Sequence, residues 1–573
     1  MNNHHYTFKQ TTIQICMSKS SLNKQKSSKI NKILFVETKN KYYNLYQSWY
    51  FPLKRNCKEL INFDPRWTSL CYGKQAMNKK FLDFVKKEKP EYIFMWIRPD
   101  QFYFDTLLEI RKSLPQTKVF TFFGDDDTVF ESFSRFLVLF VDYGLVVQKK
   151  FIEKYKKEGI KDIFYTTSLD TRFFKPLNEK KKYDVTFIGS PKTELAERYE
   201  LIKFLKDNGI NIKVFGWGWD NYPDLQEVSG GVLSSDEMIK VTNQSKIHLC
   251  LSKNNHGEKQ LKGKIFEAGA CKTFVLTEYC KDYLDFFKEG KELVMFKDKK
   301  ELLDKIRYYL KNEDEREQIA KKAYEKIIKN YSLDSELGKI FKEIEKKDKK
   351  FKHRSLPKIN KNIISLSKKD LNQNIKDIEK IIKDYDYIYF NHGKNEDLKY
   401  RTYLQAYSLI KSKKSISCCD YYLHSKHLGD YLVMRTKRAF NLLNKKDFMS
   451  ILNMNQLMVT KDYFLKNIDK IKKGLNSSEI DFIDEKNTTF VSFPLVRVEK
   501  FKNNDYNTIV KISRLNFLYD LYSLKYRKKI FSLYPFALFL EVLKGKSFIL
   551  KAIIKILIDK DKINKLQSFK NSK

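Results

Sequence analysis

The sequence predicts an α/β protein with parallel sheets and an additional C-terminal region. Short apolar segments rich in β-branched and aromatic residues alternate with helical patterns through much of residues 32–342. Two of these segments end in glycine, which is typical of the turn between strand and helix in a doubly wound sheet. At 573 residues the chain exceeds the usual size of a single core, so we expect two to four domains.

The first half of the chain predicts an N-terminal domain at residues 31–175. Residues 1–30 are polar and contain no apolar run, which predicts a disordered basic tail and not a signal peptide. Three buried strands are then predicted at residues 32–37 (KILFVE), 92–97 (YIFMWI) and 118–123 (KVFTFF). Helical patterns lie between them, and this alternating order predicts a parallel sheet.

An acidic loop follows the third of these strands. Gly124 is followed by Asp125, Asp126 and Asp127, and carboxylates at this end of a strand would face a cleft between two domains. Asp125 or Asp126 would then act as a catalytic acid or base, or bind acceptor hydroxyls. The alternative is a structural loop in which Asp127 caps the next helix.

A second α/β unit is predicted at residues 176–342. Residues 183–189 (YDVTFIG) form an apolar strand that ends at Gly189, and a helical pattern follows through Arg198. Further strands are predicted at residues 212–216 (IKVFG) and 246–251 (KIHLCL). Because no GxGxxG is present, a dinucleotide fingerprint is not indicated.

A basic turn precedes the next predicted helix, at residues 265–271. Lys262, Gly263 and Lys264 stand at the start of this helix, where partial positive charge and free N–H groups favour a diphosphate. Glu267, in the first turns, is placed to accept hydrogen bonds from sugar or ribose hydroxyls. The alternative is a solvated lysine turn that caps an ordinary helix.

These blocks occur in an order that resembles a known family. The order VTFIGS, Arg198, VFGWGW, SKIHLCLS, QLKGKIFEAGAC, LTEY, FFKEGKELVMF and YYLKNEDEREQIAKKAYEKI is similar to the nucleotide-binding half of the spore-maturation-protein-B-like glycosyltransferases. That family belongs to the group 1 glycosyltransferases of GT-B fold. The acidic loop also resembles the family, together with Ser134, Arg135, Asp142 and Tyr143 after it.

The resemblance implies two Rossmann-like domains that face a cleft and a nucleotide-sugar donor in the second of them. The donor-binding residues would be Gly189, Arg198, Lys262, Gly263, Lys264 and Glu267. Two positions depart from the family pattern, in which two glutamates lie eight positions apart and a glycine follows Ala-Cys. Lys259 occupies the position of the first glutamate, with Glu258 beside it, and Lys272 replaces the glycine.

The remaining residues predict a linker and an accessory region. The charge run at residues 343–354 (EIEKKDKKFKHR) predicts a linker at 343–356, and residues 357–573 follow as a region of unknown role. Residues 385–390 (YDYIYF) loosely echo a family 2 GT-A transferase, so the region is either a degenerate relative of that fold or unrelated to it. The loop that follows, Asn391 to Lys394, contains no paired carboxylates and no DxD motif, so no divalent-metal donor site is indicated.

Composition narrows the partners and the location. A net charge of +40 favours anionic partners, and no nucleic-acid-binding motif is present, so nucleic acid is not expected. The eight cysteines form no metal or disulfide pattern, which indicates the cytoplasm. A basic cluster at residues 525–529 and an amphipathic pattern at 547–558 would suit an anionic membrane surface; the alternative is a helix packed on its own domain.

Together these features predict a glycosyltransferase of the hexosyltransferase type. It would move a sugar from a nucleotide-diphosphate donor to an acceptor hydroxyl in a surface glycan, glycolipid or glycoprotein. Lys262 and Lys264 would stabilise the departing diphosphate without a metal or other cofactor. Asp125, Asp126 and Glu267 are the candidate catalytic residues. The alternative is a non-catalytic glycan- or membrane-binding protein derived from a glycosyltransferase.

Overall fold

A computed structural model describes most of the chain between residues 30 and 514. The described residues are 30–38, 45–98, 101–160, 162–167, 169–191, 198–254, 257–347, 351–391, 396–425, 429–434, 454–477, 483–484, 486–498 and 513–514. The predicted tail before residue 30 and the predicted membrane-binding segments after residue 525 lie outside them. No helix among the described residues is long and apolar enough to cross a membrane.

The first domain is a parallel six-stranded sheet in the order β2-β1-β3-β4-β5-β6. Its strands are β1 (Lys32–Val36), β2 (Glu59–Phe63), β3 (Tyr92–Met95), β4 (Lys118–Phe123), β5 (Tyr143–Val146) and β6 (Ile163–Tyr165). Its helices are α1 (Leu45–Arg55), α2 (Pro65–Tyr72), α3 (Lys74–Glu88), α4 (Phe104–Ser113), α5 (Asp126–Val129), α6 (Arg135–Leu137) and α7 (Lys150–Lys157). The three strands predicted from sequence are therefore neighbours at the centre of the sheet.

Local sequence explains where the helices of this domain begin and what they bury. Asp64 caps α2 by accepting a hydrogen bond from the backbone N–H of Trp67, and Pro65 occupies the first helical position. In α3, Met77, Phe81 and Val85 recur every four residues and are buried, so one face of the helix packs on the sheet. The domain is thus a Rossmann-like α/β unit, as predicted.

The second domain is a parallel five-stranded sheet in the order β11-β10-β9-β7-β8. Its strands are β7 (Tyr183–Ile188), β8 (Ile212–Phe215), β9 (Ser245–Cys250), β10 (Phe274–Glu278) and β11 (Val294–Phe296). Its helices are α8 (Arg198–Asp207), α9 (Ser235–Asn243), α10 (Lys264–Ala270), α11 (Lys299–Lys311) and α12 (Glu313–Asn330). The strand order changes direction at β7 and β9, where ligands bind in doubly wound sheets.

The helix α13 (Leu333–Lys347) leaves the second domain and returns to the first. Its buried residues, Leu337 and Phe341 among them, join the core of the first sheet. The predicted boundaries place residues 333–342 in the second domain and residues 343–347 in a linker. The structure differs because the apolar stripe of α13 continues through Ile344 into the charge run.

The rest of the predicted linker is also held against the first domain. His353 Nδ1 lies 2.9 Å from Asp142 Oδ1, and Arg354 Nη2 donates to the carbonyl oxygen of Val138 at 2.6 Å. Asp142 also accepts from Arg111 in α4 at 3.2 Å. These contacts give Asp142, which the family resemblance singled out, a structural role at the start of β5.

The accessory region contains a mixed sheet. Its strands are β12 (Ile363–Leu366), β13 (Tyr387–Phe390), β14 (Glu396–Asp397), β15 (Ile416–Ser425), β16 (Gly429–Met434), β17 (Leu457–Thr460), β18 (Thr488–Val498) and β19 (Ser513–Arg514). Its helices are α14 (Lys368–Leu371), α15 (Ile375–Ile382), α16 (Arg401–Ser412), α17 (Lys461–Lys466) and α18 (Ile468–Ser477). β15 pairs antiparallel with β17 and β16 and parallel with β18. The described part of the extension is therefore α/β.

The accessory region shares a continuous hydrophobic core with the first domain. Phe104 in α4 packs against Tyr400, with ring centroids 5.3 Å apart, and Phe136 in α6 packs edge-on against Tyr407 in α16 at 6.2 Å. The region is thus docked on the first domain through α16 and the residues before it.

Candidate functional site

The acidic loop lies at the C-terminal end of β4. Asp125 occupies the N-cap position of α5, yet its side chain makes no capping hydrogen bond. Asp127 lies inside the helix, so the alternative interpretation of Asp127 as the N-cap is wrong. The helix begins two residues earlier than that interpretation assumed.

Loops at the ends of β4 and β5 contact the second domain. Asn254, after β9, donates a hydrogen bond from its Nδ2 to Asp127 Oδ2 at 3.0 Å. Nearby, Gln148 Nε2 donates to Gln260 Oε1 at 2.8 Å between the loops that follow β5 and β9. The C-terminal edges of the two parallel sheets therefore face each other, and the space between them is called the cleft below.

Asp125 is the most exposed of the three carboxylates in the loop. Its side chain is exposed but surrounded by protein on several sides, and the resulting desolvation, together with Asp127, raises its pKa. Arg98 and Lys262 act in the opposite direction. A carboxylate with a raised pKa in a cleft has the electrostatic character of a general acid or base.

Asp126 lies away from the cleft, in the interior of the first domain. Only 3% of it is exposed, and its Oδ2 accepts a hydrogen bond from the hydroxyl of Tyr155 in α7 at 2.8 Å. Burial raises the pKa of the Asp126 carboxyl to about 7. The structure thus separates the two predicted catalytic aspartates: it brings Asp125 to the cleft and does not bring Asp126 there.

Three basic side chains meet at the C-terminal edge of the second sheet. Arg198, the first residue of α8, donates from Nη1 to the carbonyl oxygen of Ser190 at 3.1 Å. Lys264 Nζ donates to the carbonyl oxygen of Ile188, the last residue of β7. Both cations are partly buried, and burial lowers the pKa of each. Within the described residues, Arg198 Nε is buried without a hydrogen-bond partner.

Lys262 is the third cation and lies between opposite sets of charges. Burial lowers the pKa of its ammonium to about 8, and the charges of Arg198 and Lys264 act in the same direction. Asp127 and Asp125, on the other side of the cleft, oppose this effect. Lys262 therefore connects the acidic loop of the first domain to the basic cluster of the second.

A close approach of two glycines supports this edge of the sheet. Gly216 has a φ of +139°, and a Cβ at this position would lie 2.5 Å from the carbonyl oxygen of Gly189. The same carbonyl oxygen accepts a hydrogen bond from Trp219 Nε1 at 2.6 Å. The turn at Gly189 places Ser190 next to Arg198.

The helix α10 carries the predicted Gly263 and Glu267. A Cβ built on Gly263 would meet no atom within 4 Å, so the start of the helix borders open space. The Glu267 carboxylate lies near Lys264, and its negative charge partly offsets the lowering of the Lys264 pKa by burial. Six of the predicted site residues, namely Gly189, Arg198, Lys262, Gly263, Lys264 and Glu267, thus lie at one edge of the second sheet.

The structure explains one of the two departures from the family pattern, the lysine at position 272. Lys272 adopts a left-handed conformation with φ of 55°, and the backbone N–H of Thr273 bonds to the carbonyl oxygen of Ala268 at 3.1 Å. The turn after α10 therefore forms without glycine. Glu258 Oε2 lies 3.4 Å from Lys150 Nζ of the first domain, so it contacts that domain across the cleft.

Sequence reasoning missed two residues that hold the loop between β9 and α10. The hydroxyl of Tyr283 lies 3.0 Å from Ser252 Oγ and accepts from the backbone N–H of Lys262 at 3.2 Å. Glu278 Oε2 accepts from the backbone N–H groups of Ser252 at 2.6 Å and Lys253 at 3.1 Å. Glu278 is the last residue of β10 and follows four buried residues. A carboxylate at the end of a buried strand is the sequence signal that could have identified it.

A missed pair also lies on the first domain's side of the cleft. Glu37, which directly follows β1, accepts from Arg98 Nη1 at 3.2 Å and 3.3 Å through its two oxygens. Arg98 also lies over the ring of Trp96 at 4.7 Å. Because Arg98 acts on the pKa of Asp125, the ends of β1, β3 and β4 contribute to one charged cluster.

Comparisons with known proteins agree with these observations in the second domain. Residues 172–342 match the family described as glycosyl transferase-like, so this segment is a glycosyltransferase-like domain. The narrower resemblance to the spore-maturation-protein-B-like group stays a prediction. Among curated proteins no significant relative was found.

Solved structures of three proteins resemble part of the chain at low identity. HepE from Anabaena, in complex with UDP and glucose, is 10% identical, with a TM-score of 0.41 over 55% of this chain and 100% of that one. Sucrose-phosphate synthase from Thermosynechococcus elongatus is 9% identical, with a TM-score of 0.41 over 56% and 100%. A glycosyltransferase from Rickettsia africae is 12% identical, with a TM-score of 0.38 over 56% and 100%.

Proposed function

We propose that the protein is a glycosyltransferase that transfers a sugar from a nucleoside-diphosphate donor to an acceptor hydroxyl. The observation that carries the proposal is the convergence of Arg198, Lys262 and Lys264 at the C-terminal edge of the second sheet. Two of them, Lys262 and Lys264, belong to the predicted donor turn. The family match over residues 172–342 supports the same assignment.

The electrostatics of this cluster favour a dianionic ligand. Partly buried cations of like charge repel one another, and desolvation disfavours their charged forms further. A diphosphate placed among them would reverse both effects, because it supplies opposite charge and accepts charge-assisted hydrogen bonds. The donor's phosphates would therefore lie against Arg198, Lys262 and Lys264, and Glu267 would accept from sugar or ribose hydroxyls.

The chemical step requires the groups on both sides of the cleft. The bond between the anomeric carbon and the diphosphate oxygen breaks, and its electron pair leaves with the diphosphate. Lys262 and Lys264 stabilise the charge that develops on this leaving group. The acceptor hydroxyl forms the new glycosidic bond and loses its proton, for which Asp125 is the nearest candidate base on the opposite side.

The acceptor and the location belong to the same proposal. We place the acceptor hydroxyl in a surface glycan, a glycolipid or a glycoprotein, and the enzyme in the cytoplasm. The basic and amphipathic segments after residue 525 would attach it reversibly to an anionic membrane. Because the lysines neutralise the diphosphate, transfer should need no divalent cation, and turnover in the presence of EDTA is the direct check.

The test of donor binding is a panel of nucleoside diphosphates measured by thermal shift and titration. For the nucleotide that binds best, the double variant Lys262→Ala/Lys264→Ala should lose on the order of 2–4 kcal/mol of binding free energy, because two charge-assisted contacts are lost. The matched control is Lys259→Ala with Lys281→Ala, which removes the same charge from exposed lysines nearby. Because Lys264 also bonds to Ile188, the single variant Lys262→Ala separates binding from folding.

One alternative function has its own observation. Lys259 stands where the family pattern has its first glutamate, and Glu258 contacts Lys150 instead of the donor edge. A non-catalytic protein that binds glycan or membrane would retain the nucleotide site without turnover. Release of nucleoside diphosphate from the bound nucleotide sugar supports the enzyme, and binding with no release supports the alternative.

A further inference from the structure

A helical segment follows the acidic loop and links it to the rest of the first domain. After α5, the chain forms a π-helical turn (Phe130–Ser134) and continues directly into α6, where Arg135 is the first residue. A π-helical turn inserts one extra residue per turn and is frequent near functional sites. The position of Asp125 therefore depends on what holds this segment and Arg135.

Arg135 is held by Glu158, at the end of α7. Arg135 Nε donates to Glu158 Oε1 at 2.8 Å, and only 4% of the Glu158 side chain is exposed. A second glutamate, Glu131, also accepts from Arg135, at 2.6 Å, but 56% of its side chain is exposed. The same arginine thus has one buried and one solvent-facing carboxylate partner.

The other oxygen of Glu158 is bound by the accessory region. The hydroxyl of Tyr407 donates to Glu158 Oε2, and Lys411 Nζ lies 2.9 Å from the same oxygen. Both residues belong to α16, and Lys411 also donates to the carbonyl oxygen of Lys157 at 3.1 Å. One buried carboxylate therefore joins the segment after the acidic loop to the accessory region.

Two further contacts act on the same segment. Tyr155, one turn before Glu158, donates to Asp126 within the acidic loop at 2.8 Å. The backbone of β18, in the accessory region, lies beside the π-helical turn. The accessory region thus contacts the segment that follows the loop in two ways, through Glu158 at the end of α7 and through direct packing of β18.

We propose that the accessory region positions the acidic loop for transfer, with Glu158 and Tyr407 as the positioning residues that connect the two. The proposal rests on the function proposed above, since it assigns a role to Asp125 in the cleft. The Glu158 side chain is 4% exposed and is enclosed between Arg135 and α16, so it acts on the cleft only through other residues. Its effect on Asp125 is transmitted through Arg135 and the π-helical turn.

The test uses the full-length protein and compares two matched pairs of variants. Glu158→Gln and Tyr407→Phe weaken the connection, whereas Glu131→Gln and Tyr403→Phe are the controls. Glu131 binds the same arginine without reaching the accessory region, and the Tyr403 hydroxyl donates to Pro357 within the accessory region at 2.9 Å. Tyr407→Phe removes one hydroxyl only, so it keeps the test valid if Glu158→Gln does not fold.

The first readout is hydrogen exchange of peptides that cover residues 124–135. The backbone N–H groups of Thr128 and Val129 bond to the carbonyl oxygen of Asp125 at 3.0 Å and 3.1 Å, so exchange there reports loop order. We expect exchange at least about fivefold faster in Glu158→Gln and Tyr407→Phe than in the controls. Parent-like exchange in both variants, or equal acceleration in the controls, would overturn the proposal.

The second readout separates positioning from donor binding. The rate of nucleoside-diphosphate release from the donor should fall roughly tenfold or more in the two variants, while KM for the donor stays within about twofold. Unchanged release rates in variants with accelerated exchange would also overturn the proposal, since loop order would then not matter. If the parent turns over no donor, the proposed function fails, and the exchange comparison still decides whether the accessory region holds the loop.

Discussion

The two sides of the cleft carry opposite charges, and burial acts on both in the same sense. The first domain contributes Asp125 and Asp127 beside the ion pair of Glu37 and Arg98, whereas the second contributes Arg198, Lys262 and Lys264. Desolvation raises the pKa of Asp125 and lowers that of Lys262 to about 8. Each side is thus shifted towards its neutral form, which suits proton transfer at Asp125, whereas a bound anion would restore the charged form of Lys262.

The comparison also shows that neighbouring residues in one motif take different roles. Asp125 and Asp126 are adjacent in sequence, yet one is exposed in the cleft and the other is bonded to Tyr155 in the interior. On the second side, Lys262 and Lys264 both remain at the sheet edge. Both lysines of the basic motif therefore lie at the cleft, whereas only part of the acidic motif does.

The largest expected effect is a difference in turnover between variants of Asp125 and Asp126. Asp125→Asn should lower the rate of nucleoside-diphosphate release from the donor by about 10²–10³-fold, because it removes the proposed base. Nucleotide affinity should stay within about threefold, since Asp125 repels the phosphates if it acts on them at all. Asp126→Asn serves as the comparison and should retain most of the rate. Equal losses in both variants would assign the catalytic role to the loop as a whole.

The second prediction concerns stability and isolates Asp126. Its folded-state pKa of about 7 lies above the unfolded value of about 3.9, so the folded state holds more protons between these values. The contribution of Asp126 to the free energy of unfolding is therefore lost as pH rises from about 4 to about 7. Asp126→Asn removes this titration, and its stability relative to the parent should rise by about 4 kcal/mol over that interval, because each pKa unit corresponds to about 1.4 kcal/mol. Urea unfolding at several pH values measures the difference, and a constant offset would contradict the assignment.

The third prediction concerns nucleotide affinity above neutral pH. A ligand that binds the protonated form of Lys262 loses affinity as pH rises above about 8, up to tenfold per pH unit. Lys262→Arg should flatten this dependence, because a guanidinium stays protonated throughout. Titration of the nucleotide between pH 7 and about pH 9.5 checks both curves. Lys259→Arg is the control, and a parent affinity independent of pH would place the phosphates elsewhere.

The smallest expected effect tests whether Lys272, which stands where the family pattern has glycine, weakens nucleotide binding at the basic cluster. Lys272→Gly should raise the free energy of unfolding by about 0.5–1 kcal/mol, because glycine adopts the left-handed conformation without the penalty that a side chain carries. Nucleotide affinity should not change, since the turn already forms with lysine. A gain in affinity would show instead that the lysine distorts the donor edge.

The sequence by itself determined the parts of the molecule that depend on local periodicity. The strands predicted at residues 92–97 and 118–123 and the helix predicted after the basic turn of Lys262 and Lys264 are present in the structure. Alternating strands and helices leave few topologies other than a parallel doubly wound sheet. Because such a sheet collects the residues after its strands at one edge, the basic cluster could be foreseen from spacing alone.

Other features required the tertiary structure. Which of three consecutive aspartates enters the cleft depends on where α5 begins and on Tyr155, about thirty residues later. The return of α13 to the first domain depends on the apolar surface of the first sheet against which the apolar side chains of α13 pack. Glu158 illustrates the same limit, because its partners Arg135 and Tyr407 lie far away in sequence on opposite sides of it. No local pattern encodes contacts of this kind, since they arise only when separately folded elements pack against one another.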